Sequence, residues 1–106
     1  MENNVINFNE NYNNKLNCKF FTTVRLLNYE KYKTGWAYNI WLKGNFYRTV
    51  QCVEIRVIDY SNFDRFLMML DLGLTLAESK AKLIELYPIL LKEPNTPLML
   101  IMVTTI

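Results

Sequence analysis

The sequence predicts an α+β fold, a small bent barrel of antiparallel or mixed strands with two short helices inserted before a C-terminal strand. Three observations carry that prediction. From Lys19 to Asp59, aromatic, β-branched and basic residues alternate with the period of strands. After Ser61 the apolar residues change to helical spacing. The last run, Leu98 to Ile106, is apolar on both parities, as a strand covered on two faces requires.

The chain opens with residues 1–17, a segment dominated by asparagine, whose composition favours turns over helix or sheet. It is expected as a flexible tail from which Val5 to Phe8 docks on the barrel, with residues 18–106 forming the single domain. In the first strand, Lys19 to Leu27, Phe20, Thr22, Val24 and Leu26 share one face and Phe21, Thr23, Arg25 and Leu27 the other. A polar linker, Asn28 to Gly35, follows with Tyr29, Lys31, Tyr32 and Lys33. The second strand, Trp36 to Leu42, puts Trp36, Tyr38, Ile40 and Leu42 on a buried face, opposite Asn39 and Trp41. Lys43-Gly44-Asn45 reads as a hairpin turn into the third strand, Phe46 to Asp59.

That third strand changes phase. Phe46, Val50 and Cys52 lie on even positions, whereas Val53, Ile55 and Val57 lie on odd ones. A strand whose inner face switches parity needs an extra residue, so a bulge is expected near Cys52. Ser61 and Asp64 then mark a helix start, Phe63, Phe66, Leu67 and Leu70 its apolar face, and Gly73 its end. Thr75 and Glu78 form a capping box that opens a second helix, with Leu76, Ala77, Ala81, Leu83, Ile84 and Tyr87 as its stripe. Pro88 closes it. A connector, Ile89 to Pro97, leads to the final strand.

Composition narrows the chemistry. At 106 residues and 51% apolar content the chain supports one core. Its longest apolar run, Leu98 to Val103, is far short of the roughly twenty residues that span a bilayer, so no membrane partner is expected. No charged segment followed by an apolar one opens the chain, and Cys18 and Cys52 read as reduced thiols, which together point to the cytoplasm. Histidine is absent, which removes the usual general base and the commonest zinc ligand. No cofactor or metal is expected. Charge is asymmetric: Lys15, Lys19, Arg25, Lys31, Lys33, Lys43, Arg48 and Arg56 precede Val57 against only Glu30 and Glu54, so a polyanion would meet the barrel first. Arg25, Lys31, Lys33, Lys43 and Arg48 are the candidate phosphate contacts and Trp41 the candidate stacking platform. For Arg25 the competing expectation is a structural partner, Glu54 or a backbone carbonyl.

Several short pieces also resemble a known family. Phe20-Phe21-Thr22-Thr23-Val24-Arg25, Tyr32-Lys33-Thr34-Gly35, Leu42-Lys43-Gly44-Asn45-Phe46-Tyr47, Leu74-Thr75-Leu76-Ala77-Glu78 and Leu86-Tyr87-Pro88 are similar, in order and spacing, to the ASCH family. The resemblance implies a PUA-like barrel and a link to RNA. Some members are amidohydrolases that deacetylate acetylcytidine with a lysine, a threonine and a carboxylate. Carried onto this chain, those roles fall on Lys19, Thr23 and Asp71, although the aligned lysine position holds Phe20 and the aligned carboxylate position holds Leu72. The expectation is therefore an RNA- or modified-nucleoside-binding module without catalysis. The alternatives are a hydrolase of acylated nucleoside or RNA, and a small protein-interaction inhibitor of phage or mobile-element type.

Overall fold

A computed structural model describes residues 4–59, 76–93 and 95–106. Five strands form one mixed sheet, curled into a half-barrel. They are β1 (Val5–Phe8), β2 (Phe20–Leu26), β3 (Ala37–Leu42), β4 (Asn45–Asp59) and β5 (Pro97–Thr105), in the order β1-β3-β4-β5-β2. The pairing of β1 with β3 is parallel and the other three pairings are antiparallel. A 3-10 helix (Tyr12–Asn17) joins β1 to β2, and the helices α1 (Leu76–Leu86) and α2 (Ile89–Lys92) precede β5.

The strand expectations hold closely because each rests on a local period. Lys43 and Gly44 both have positive φ, 53° and 81°, which is the two-residue turn whose twist matches a hairpin. The bulge falls where the parity changes: Cys52 pairs with Val103 and Glu54 with Met102, so Val53 is the extra residue. A second irregularity, between Ile40 and Trp41 in the β3–β4 pairing, bends the hairpin further. These breaks let β4 leave β3 and continue against β5 alone, which curls the sheet.

Two cores follow from the two faces. The inner one joins Ile6, Phe8, Leu16, Phe21, Tyr38, Ile40, Val50 and Cys52 to Met99, Ile101 and Val103. On the outer face Val24 and Leu98 pack against Leu83 of α1 and Leu90 of α2. Strand β5 serves both, with Leu98 turned to the helices and Met99 to the barrel, which accounts for its apolar content on both parities. In α1 the stripe differs from expectation: Ala77 and Ala81 face solvent, while Ser79 and Leu83, four apart, turn inward. The expected helix at Ser61 to Gly73 and the capping residue Thr75 lie outside the described residues.

Residues 4–17 do not stand apart from the domain. Val5 to Phe8 docks as expected, but as a full strand of the sheet, with Ile6 and Phe8 in the inner core beside Leu16. The division at residue 18 therefore does not divide the core. The asparagines make this path possible. Asn13 and Asn14 both take the left-handed conformation at φ 55°, which asparagine tolerates best among residues with a side chain. The Asn11 side chain accepts the Leu16 backbone N–H at 2.9 Å.

Candidate functional site

Strands β1 and β2 are the two edges of the sheet, and curling brings them face to face without a ladder between them. The gap is closed by side chains. The Phe8 and Phe21 rings meet edge to face, 6.4 Å apart. Arg25 reaches across from β2 and donates to the Asn7 carbonyl of β1 at 2.8 Å. Its Nε donates to the Thr23 hydroxyl at 3.0 Å, and its guanidinium lies 4.7 Å from the centre of the Phe8 ring.

Over this seam lies a cavity of about 130 Å³, with Phe8, Tyr12, Lys15, Thr23, Arg25 and Tyr87 in its wall. Leu83 and Leu86 of α1 supply its apolar side. Thr23 and Arg25 both point into the barrel because they share the odd parity of β2. Lys15 enters from the 3-10 helix, 5% exposed, with its ammonium 5.4 Å from the Phe8 ring centre. Among the described residues no carboxylate lines the cavity. The structural partner expected for Arg25 is found in its second form, a backbone carbonyl, while Glu54 pairs with Arg56 at 3.3 Å.

Burial pushes Tyr87 and Tyr32 up, and the charge of Arg25 works against that in both. The Tyr12 hydroxyl draws the Lys82 ammonium and helps hold its pKa above the usual value. No hydrogen bond closes between them, and the Tyr12 hydroxyl is left buried without a partner. Elsewhere Tyr38, also pushed up by burial, accepts the Lys33 backbone N–H and donates to the Lys31 carbonyl, at 2.9 and 2.7 Å.

Of the residues singled out in the sequence, the seam cavity gathers Thr23 and Arg25. Lys19 is exposed and lies beside the ring of Phe20, 5.6 Å from its centre, away from the cavity wall. Phe20 itself is 56% exposed on the outer face of β2 and fills no part of the cavity. Asp71 lies outside the described residues. Lys31 and Lys33 belong to the loop before β3 and cover the rings of Tyr32 and Trp36. Lys43 is at the hairpin tip. Arg48 donates to the Leu16 carbonyl at 2.7 Å, anchoring the 3-10 helix. Trp41 is half-buried, cross-strand from Phe46, and no part of the cavity wall.

The residues missed are Phe8, Tyr12, Lys15 and Tyr87. Lys15 carried one signal, as the first cation of the basic block and the neighbour of Leu16, but a segment read as a tail concealed it. Tyr87 belongs in the sequence to a helix stripe and to the Leu86-Tyr87-Pro88 piece, neither of which marks it as a site residue.

No protein-family model matches the chain, and neither does any curated protein. Among solved structures it is similar to protein EF3133 from Enterococcus faecalis V583, of the DUF984 family. The TM-score is 0.72 over 97% of this chain and 76% of that one, at 12% identity. At that identity the likeness shows a shared fold and nothing finer.

Proposed function

We propose that the chain is an ASCH-like module that binds RNA or a modified nucleoside, with the ligand seated at the seam between β1 and β2. One observation carries this reading. Arg25 is a half-buried guanidinium with no carboxylate partner among the described residues, set beside Thr23, Lys15 and two tyrosines over a cavity. A guanidinium needed only for stability would ordinarily be neutralised when drawn this far from water. Here cations, hydroxyls and phenol rings converge, which are the groups that recognise phosphate, ribose and base.

The test is titration of the full chain with short single-stranded RNA and with ribonucleosides at low and at moderate salt. Binding of RNA that weakens as salt rises, and that is reduced in Arg25→Gln, supports the reading. Absence of binding to both ligand classes at low salt would defeat it.

A second reading, hydrolysis of an acylated nucleoside, is favoured by the burial of Lys15 in the same cavity wall as Thr23. In this reading Lys15 replaces Lys19 as the lysine that attacks or abstracts a proton. Acetylcytidine left intact by the protein after long incubation removes it.

A further inference from the structure

We infer that the seam cavity holds the phosphate of a phosphomonoester, with Thr23, Arg25 and Lys15 as its donors; this rests on the nucleic-acid reading above and names the group that enters.

The first argument is the set of donors left over. Arg25 has five N–H donors. The bonds to Thr23 and Asn7 use two of them, and the Tyr87 hydroxyl shares the cavity wall with the guanidinium, so the fork keeps donors for a ligand. Thr23 is 3% exposed, and its hydroxyl oxygen accepts from Arg25 while its own O–H donates to no group among the described residues. The Tyr12 hydroxyl is buried and unpartnered in the same wall. Buried donors left open are uncommon in native proteins, and here Thr23 and Tyr12 present theirs to one space beside the half-buried Arg25 fork.

The second argument is size and shape. At about 130 Å³ the cavity is well below the roughly 300–1,000 Å³ of pockets that enclose a drug-sized ligand, so it admits one compact group. Donors approach from β2 and from the 3-10 helix, on different sides. A phosphate presents three acceptor oxygens to such an arrangement, whereas a carboxylate presents two in one plane.

The third argument is the placement of the remaining cations. Lys31 and Lys33 cover aromatic rings, Lys43 is at a turn, and Arg48 is committed to Leu16, so none of them lines the cavity. A site built for the interior of a strand tracks the backbone with successive cations. This one concentrates its charge at a single point, which suits a terminal phosphate or a free mononucleotide.

Calorimetric titration of the full chain with the four ribonucleosides, their 5′- and 3′-monophosphates and inorganic phosphate tests this. A companion series uses one short RNA carrying a 5′-phosphate, a 3′-phosphate or neither. The expected result is a monophosphate preferred over its nucleoside by about tenfold or more, with that preference shrinking toward one in Lys15→Gln and Arg25→Gln. If the RNA with a terminal phosphate shows the same preference, the ligand is a chain end; if free monophosphates alone show it, the ligand is a mononucleotide. Either result supports the inference. Nucleosides binding as tightly as their monophosphates, together with RNA binding indifferent to its end groups, would overturn it while leaving the proposed function standing. No binding by any probe overturns both. The wild-type comparison decides the matter even if one variant fails to fold.

Discussion

The two sides of the half-barrel are closed by different means. On the β3-β4-β5 side, backbone ladders join the strands, each with one register break, and the interior between them is apolar, formed by Ile40, Val50, Ile101 and Val103. On the β1/β2 side the ladder is missing. There Arg25, Phe8, Phe21 and Lys15 fill the gap. Where backbone groups satisfy one another, the side chains are free to be purely apolar. Where edge strands meet unpaired, the side chains must supply hydrogen bonds as well as bulk, and that requirement concentrates charge and leaves a cavity. The candidate site is thus located at the discontinuity in the sheet.

The largest expected effect tests the apolar side. Ile101→Ala, at the fully buried centre of β5, should cost about 2–5 kcal/mol in denaturant unfolding and leave ligand affinity unchanged. Arg25→Ala tests the seam. It removes one bond to a backbone carbonyl, so its stability cost should be about 1–3 kcal/mol, while RNA or nucleotide binding should be largely lost. If Ile101→Ala abolished binding in a folded protein and Arg25→Ala did not, the assignment of stability to one side and recognition to the other would break.

A pH titration sharpens the contrast. Tyr32, Tyr38 and Tyr87 are all pushed above the ordinary value of 10.0, chiefly by burial. The unfolded chain therefore releases these protons first, so the stability they contribute is present below about pH 10 and is lost as pH rises beyond it. Thermal melts between pH 9 and pH 11 should show that loss, and Tyr38→Phe should reduce its slope. The smallest effect concerns the hairpin. Lys43→Gly relieves a non-glycine residue at φ 53°, far from the seam, and should change stability by no more than about 1 kcal/mol without altering binding.

The strands were readable because their signals are local. The parity change between Cys52 and Val53 fixes a bulge, and Lys43-Gly44 fixes a turn, whatever the rest of the chain does. The site was readable only in part. Thr23 and Arg25 lie two apart on a strand whose faces are legible, so their shared direction followed from the period alone. Lys15 did not follow, since its approach to Phe8 depends on two left-handed asparagines that composition marks merely as turn formers. Lys19 stands out in the sequence because it adjoins the aligned position at Phe20, and in the fold it is exposed beside that ring. Tyr12 and Tyr87 line one cavity although β2, β3 and β4 lie between them along the chain.

From the sequence alone came the order of the strands from β2 to β5 along the chain, the two faces of β2, the buried face of β3, the two-sided burial of β5, and a basic barrel without histidine chemistry. Those properties depend on period and composition, which neighbouring residues set among themselves. Only the tertiary structure decided that the asparagine-rich opening is a parallel edge strand, that this edge meets β2, and that the meeting brings Lys15 and Arg25 to one ring. Contacts of that kind arise when a curled sheet juxtaposes its first and last strands, and no local pattern encodes which edges will face each other.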